Sequence, residues 1–378
     1  MEQIPSSFPF FRFEGSHYEI GEHYGRACAD LIHRHRDLAL DRLQARMGIS
    51  PDDARARALA YRPYIQKYAP FFDDEIRGVA AGSGLSLEDA WLIQLRAELG
   101  VVTKEDIEKE PGDECTTFAV LPEATADGLG LIGQNADLPD FYSQISVVVE
   151  MVFDDMPSIL MLLPAGQVSY IGINDRGLGV CANYLSCEGW RVGFPRYLLS
   201  RLALTHETVD DAIAAVRAVP RASSRNLLML DTRGSAADLE TTAIHDARVG
   251  PERGIIAHAN HYTHETMLQH ERAQSPYLEN SRIRHATMRE MLDARHGELS
   301  PAVMQTILRD RSCHPDCLCR TGADNPETDT ITFASLIAQP LEKRIWVAVG
   351  PPNEHEYYRY AFGAQPVKEE LNPQLSMT

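Results

Sequence analysis

The run Asp113-Glu114-Cys115-Thr116-Thr117 decides how this chain is read. It joins a charged stretch to the first run of β-forming residues, Thr117 to Leu121, and it carries a cysteine at the junction. Lys104-Glu105-Asp106-Ile107-Glu108-Lys109-Glu110-Pro111-Gly112 is charged, turn-forming and poor in apolar residues, which predicts an exposed linker over Thr103 to Glu114. If the Glu114–Cys115 peptide bond is cut there, Cys115 becomes an N-terminus. Its new α-amino group would have a pKa of about 7.7 to 8.0, close enough to neutrality to take the proton from its own thiol. Nucleophile and base would then be one residue.

Upstream of the junction the pattern is helical. From Ile20 the positions Tyr24, Cys28, Leu31, Ile32, Ala39, Leu43 and Met47 recur mostly three or four apart, which predicts one amphipathic helix. Ser50 before Pro51, Asp52 and Asp53 supplies an N-cap, a first-turn proline and acids matched to the helix dipole. Ser86 with Asp89 resembles a capping box for a helix running to about Leu99.

Downstream the period changes to short β-rich runs: Thr117 to Leu121, Leu129 to Gly133, Ile145 to Phe153, Ile159 to Leu163, Val168 to Ile173 and Leu178 to Tyr184. Asn174-Asp175-Arg176-Gly177 predicts a hairpin turn, with glycine where a positive φ is needed. Helices are expected near Pro195 to Leu204, Val209 to Val219, Ser281 to Leu292 and Pro301 to Leu308. Strands return at Asn226 to Leu230, Leu239 to Ile244, Gly254 to His258, Thr330 to Ile337 and Ile345 to Val349. Long antiparallel meanders interrupted by helix pairs favour two sheets sandwiched between helices, an α+β class, over an alternating βαβ chain.

Composition narrows the function. The 378 residues are 44% hydrophobic, enough for a large core, and 36 Lys and Arg against 54 Asp and Glu give a net charge of −18. A phosphate backbone meets repulsion, so nucleic acid is not an expected partner. No apolar run reaches transmembrane length, and Met1 to Phe10 lacks a basic region followed by an apolar one. Seven cysteines suit reduced thiols better than a disulfide framework, and the expected location is cytoplasmic.

Around Cys115 the sequence supplies further pieces of a thiol acyl-transfer site: Gly133-Gln134-Asn135-Ala136-Asp137, Cys181-Ala182-Asn183-Tyr184, His258-Ala259-Asn260-His261-Tyr262 and Cys317-Leu318-Cys319-Arg320. Together with Gly15-Ser16-His17-Tyr18-Glu19-Ile20-Gly21, Cys115-Thr116-Thr117-Phe118, Gly172-Ile173-Asn174, Gly177-Leu178 and Val349-Gly350-Pro351-Pro352, these pieces resemble, in order and spacing, a known family. It is the acyl-coenzyme A:isopenicillin N (6-aminopenicillanic acid) acyltransferase family of N-terminal-nucleophile hydrolases, cousins of the bile-salt and penicillin V amidases.

The resemblance implies a four-layer αββα sandwich and a precursor that cuts itself before the cysteine. Residues 1–114 would become a helical α chain or pro-segment, and 115–378 a β chain carrying the catalytic domain. Cys115 matches the nucleophile, Asp137 the acid near the new amino group, Asn260 the oxyanion donor and Arg320 the arginine of the cysteine-side network; Asn183 resembles a second amide donor. No metal or organic cofactor is implied. The partners implied are a small-molecule acyl donor and an amine acceptor. Three positions depart from the family pattern: Glu114 stands where glycine is usual, Ala136 where an aromatic residue is common, and Thr321 where histidine often follows the arginine. Glu114 implies a slower self-cleavage or a different loop geometry, and Ala136 and Thr321 a reshaped acyl or amine pocket.

Two other readings compete. His258, His261, His264 and His270 with Cys313, Cys317 and Cys319 offer zinc-type ligands, although Cys-x3-Cys-x-Cys has no familiar zinc spacing. A binding protein with Cys115 merely buried as a small hydrophobe is the other.

Overall fold

The computed structural model describes residues 4–95, 97–100, 114–324 and 328–369. Of the expected linker over Thr103 to Glu114, all but Glu114 lies outside the described residues.

The chain starts with a strand, β1 (Phe10–Gly15), and then the helices α1 (His17–Ala27), α2 (Ala29–Met47), α3 (Pro51–Leu59), α4 (Arg62–Tyr68), α5 (Pro70–Ser83), α6 (Leu87–Leu92) and α7 (Ala97–Gly100). Ser16, Ser50 and Ser86 cap α1, α3 and α6, each side chain accepting from the backbone N–H three residues on. At α1 the Glu19 carboxylate returns the bond to the Ser16 N–H, completing a capping box. The single helix expected from Ile20 to Met47 is two, broken at Cys28, whose φ of −112° and ψ of 18° leave the helical region. The helix capped by Ser86 stops at Leu92, short of Leu99.

Among the described residues fourteen further strands build two sheets with β1. They are β2 (Glu114–Val120), β3 (Leu131–Pro139), β4 (Ser146–Phe153), β5 (Ile159–Pro164), β6 (Ile171–Asn174), β7 (Gly179–Asn183), β8 (Arg225–Leu230), β9 (Ala236–Thr241), β10 (Asp246–Val249), β11 (Ile255–His258), β12 (Thr330–Gln339), β13 (Arg344–Val349), β14 (Tyr357–Ala361) and β15 (Val367–Lys368). One sheet has the order β1-β4-β5-β6-β7-β8-β9-β10, the other β11-β2-β3-β12-β13-β14-β15. Every pairing is antiparallel except β1 on β4. The β6–β7 hairpin turns at Gly177, with φ of 92° and no room for a Cβ, which would lie 2.2 Å from Thr232.

Strand alternation assigns the faces. On β2 and β3, Cys115, Ala119, Ile132 and Ala136 join the core shared with the eight-stranded sheet. Phe118, Val120 and Leu131 join a second core with Met288, Leu292, Met304 and Leu308 of the helices Tyr277–Ala294 and Pro301–Leu308. Helices Arg196–Ala203 and Val209–Ala218 pack on β7 and β9 of the other sheet, and α1 on β1. The layers run helix, sheet, sheet, helix, the αββα order. Each aliphatic side chain fully buried between them contributes about 1.5–3 kcal/mol.

The first 114 residues are therefore not wholly helical. Phe10-Phe11-Arg12-Phe13 lays a strand beside β4, and Phe8 and Phe13 sit in the large core. β3 also runs on through Gln134-Asn135-Ala136-Asp137, beyond the expected end at Gly133, because these polar side chains find partners inside. The Gln134 oxygen accepts from the Ala182 N–H, and the Asn135 amide donates to the Leu308 and Leu318 carbonyls.

Candidate active site

Cys115 heads β2, a strand flanked on both sides, and its side chain is buried on the face that looks toward the eight-stranded sheet. Its backbone is held on both sides of the Cα. The Cys115 N–H donates to Asn260 Oδ1 at 2.7 Å, and its carbonyl accepts from Asn183 Nδ2 at 3.0 Å and from Arg284 Nη1 at 2.7 Å.

The sense of the Asn260 carboxamide follows from its neighbours. Its oxygen accepts from both the Cys115 N–H and Arg284 Nη2, while its NH2 donates to the Tyr184 carbonyl at 3.0 Å. Turned over, it would set donor against two donors and oxygen against oxygen. Asn260 thus offers Cys115 an acceptor, where the resemblance implied an oxyanion donor. The amide NH2 turned toward residue 115 is that of Asn183. The Asn260 N–H donates to Ser281 Oγ, which is 2.7 Å from His261 Nδ1. Burial, then the charges of His258 and His285, push His261 down to about 3, so its ring is neutral.

Asp137 pairs with Glu114 across the ladder, while Cys115 pairs with Ala136. The pleat sends Asp137 to the helix face and Cys115 to the inter-sheet face, with the Glu114–Cys115 bond between them. Asp137 Oδ1 accepts from Thr332 Oγ1 at 2.6 Å, and Oδ2 is buried with no hydrogen-bond partner among the described residues. Burial pushes its carboxyl up to about 7 against the opposing pull of Arg284 and the Thr332 hydroxyl. Arg320 is buried too; its N–H donates to Thr332 Oγ1, so its backbone steadies the residue that holds Asp137. Burial lowers the Arg320 guanidinium to about 10, against the nearby charge of Asp324.

Sequence reading missed Arg284. Fully buried, it donates from Nε to Asn280 Oδ1 and from Nη1 to Thr116 Oγ1 as well as to residues 115 and 260. A signal was present: Asn280, Arg284, Met288 and Leu292 recur every four residues as the buried stripe of one helix, and its first two members are polar. Thr117, part of the motif but given no role of its own by the sequence, donates its hydroxyl to Asn183 Oδ1 at 2.9 Å.

The histidines and cysteines weighed as metal ligands do not converge. His258 sits with Asp238 and Glu240, His264 bonds Thr266, His270 stacks on His245, Cys313 lies on Thr287, Cys317 on the Arg311 carbonyl and Cys319 on Asn353. Among the described residues no helix is long and apolar enough to cross a membrane.

The class of the protein, an enzyme of acyl transfer or amide hydrolysis, is set by its family. Residues 124–354 match the family described as acyl-coenzyme A:6-aminopenicillanic acid acyl-transferase, and the chain belongs to that family. It is 23% identical over 347 residues to the acyl-coenzyme A:6-aminopenicillanic-acid-acyltransferase 40 kDa form of Emericella nidulans, covering 90% of this chain and 92% of that one. Among solved structures it is similar to a conjugated bile acid hydrolase from Clostridium perfringens, with 14% identity and a TM-score of 0.44 over 68% of this chain and 97% of that one. It is also similar to penicillin V acylase from Agrobacterium tumefaciens, with 12% identity and a TM-score of 0.38 over 67% of this chain and 85% of that one.

Proposed function

We propose that this protein is a self-processing acyltransferase or amidohydrolase whose nucleophile is Cys115, freed as an N-terminus by cleavage at Glu114–Cys115. One observation carries the reading: the nitrogen that would become the base is already fixed on Asn260 Oδ1, and the same residue's carbonyl is fixed by Asn183 and Arg284. β11 pairs with β2 only from Thr117 onward, so at Cys115 three side chains, not that strand, meet the backbone N–H and carbonyl.

In the proposed cycle the α-amino group takes the thiol proton and the thiolate attacks the acyl carbon of an amide or thioester. The tetrahedral intermediate expels the amine or thiol leaving group, which takes the proton back from the ammonium, and an acyl-Cys115 thioester remains. Attack by a small amine completes transfer; attack by water completes hydrolysis. Asn183 presents the amide donor for the developing oxyanion, an interaction worth about 2.7–4 kcal/mol where such donors have been removed. Asp137, held near neutrality on the far side of the scissile bond, accepts or returns the amine proton, and Arg320 steadies it through Thr332. Asn260 keeps the amine pointed at the thiol. The acceptor is small and amine-bearing, the donor a small-molecule amide or thioester. The α chain, 1–114, and β chain, 115–378, stay packed on one core. The seven free thiols accord with a cytoplasmic location.

The test is incubation with a panel of acyl-amides and acyl-thioesters, followed by mass mapping. An added acyl group on Cys115, absent in Cys115→Ala together with turnover, supports the reading. Turnover that survives Cys115→Ala defeats it.

A further inference from the structure

The core between the sheets contains a polar row of which the cycle above uses only Asn183. Across the eight-stranded sheet the register sets Asn183 on β7 opposite Asn226 on β8, and Asn226 opposite Glu240 on β9. Two residues back along β9, Asp238 points to the same side. His258, at the end of β11, reaches this row from the other sheet, and all five side chains are fully buried.

His258 Nε2 lies 3.0 Å from Glu240 Oε1 and 3.6 Å from Asp238 Oδ2, while Nδ1 lies 2.7 Å from the Ala259 carbonyl. Each ring nitrogen faces only acceptors, so both carry hydrogen and the ring is an imidazolium. Glu240 already accepts from four donors: Oε1 from His258 and from the N–H and hydroxyl of Thr263, and Oε2 from the His264 N–H. The cluster is an ion triad carrying one net negative charge, and it has one exit. Asp238 Oδ1 accepts from Asn226 Nδ2 at 2.7 Å, and the same Nδ2 donates to Asn183 Oδ1 at 3.0 Å.

That link has a direction. A carboxylate only accepts, so Asn226 must turn its NH2 toward Asp238, and this same NH2 then meets Asn183. With donors from Asn226 and Thr117 on its oxygen, Asn183 can turn only its NH2 toward Cys115. We infer that Asp238 and Asn226 are positioning residues for the acyl-transfer site, locking the Asn183 carboxamide with its donor end on the nucleophile's residue. The inference rests on Cys115 being the nucleophile.

The test measures acetylation of Cys115 by p-nitrophenyl acetate, followed by peptide mass, in the wild type and in Asn183→Ala, Asn226→Ala, Asp238→Asn, the Asn183→Ala/Asn226→Ala and Asn183→Ala/Asp238→Asn doubles, and Cys115→Ala. Asn226→Ala and Asp238→Asn are each expected to slow acetylation on the order of tenfold. Neither should slow Asn183→Ala by more than about twofold, because the link acts only through Asn183. Losses that multiply in the double variants would show an ordinary packing role and overturn the inference, as would wild-type rates in both single variants. Asp238→Asn is isosteric and carries the comparison if Asn226→Ala does not fold. No acetyl group on wild-type Cys115 overturns the nucleophile reading itself, and the positioning role with it.

Discussion

The nitrogen of Cys115 and the oxygen of Asn260 stand 2.7 Å apart, and the proposed chemistry turns on that contact. Asn260→Ala removes the acceptor while the substrate's binding surface stays. The expected result is a fall in kcat of about ten- to a hundredfold, or about 1.4–2.7 kcal/mol, with KM nearly unchanged, read from steady-state kinetics on any donor the panel identifies. Asp137 gives a pH signature. Its carboxyl is raised from 3.8 to about 7 in the folded chain, so the native state holds this proton more tightly than the unfolded state does. The resulting stability is complete below the unfolded pKa and is lost as pH rises through the folded one. Asp137→Asn is therefore expected to show a smaller drop in melting temperature than the wild type between about pH 4 and about pH 7. An equal drop in both proteins would count against a raised Asp137. At this scale the sequence was legible where a residue type advertises chemistry: Cys115, Asn183 and Asn260 do converge. The direction of the Asn260 amide was not legible, because it is set by Arg284 and the Tyr184 carbonyl, partners 24 and 76 residues away.

At the level of elements, the helices before the junction are fixed by close backbone contact. A Cβ on Gly21 would lie 2.1 Å from the Glu75 carbonyl oxygen, and one on Gly78 2.2 Å from that of Tyr18; Gly25 and Gly82 are as tight. This explains Gly21 at the end of the Gly15-to-Gly21 motif: α1 and α5 approach at glycines spaced four apart on each. Backbone cannot yield as a side-chain tip can, so Gly78→Ala is expected to destabilise by about 3 kcal/mol, the upper part of the overpacking range, seen as a lower urea midpoint. Beside this contact Glu75 receives two 2.9 Å bonds from Arg201, with both side chains buried. Arg201→Met removes both guanidinium bonds and leaves buried Glu75 only His17 Nδ1, 3.5 Å away, and the expected cost is about 3–5 kcal/mol by the same measurement. Neither contact could be read beforehand, since both join elements far apart in sequence. The helix caps at Ser50 and Ser86 were readable because a cap is a local bond. β1, β10, β14 and β15 escaped notice because short strands at sheet margins carry little alternation, and β1 gains its place only by lying beside β4, some 138 residues on.

Over the whole molecule one core crosses the Glu114–Cys115 junction. Ile20, Tyr24, Ile76 and Trp91 before it share a cluster with Val148, Leu162 and Leu199 after it, and β1 is hydrogen-bonded into the eight-stranded sheet. The sandwich was foreseeable from meanders broken by helix pairs, whereas the particular pairings that join the two proposed chains, such as β1 on β4, follow from no local pattern. Cutting one peptide bond leaves these contacts in place, so the products are expected to co-elute in size-exclusion chromatography and to part only in denaturant. The most direct test of the central claim is denaturing intact-mass analysis of freshly purified protein after exposure to a reactive acyl donor. The account predicts two masses, Met1 to Glu114 unmodified and Cys115 to Thr378 bearing the acyl group on its first residue. A single unbroken chain that transfers acyl groups at full rate, or an acyl group on any other residue of the second fragment, would contradict it.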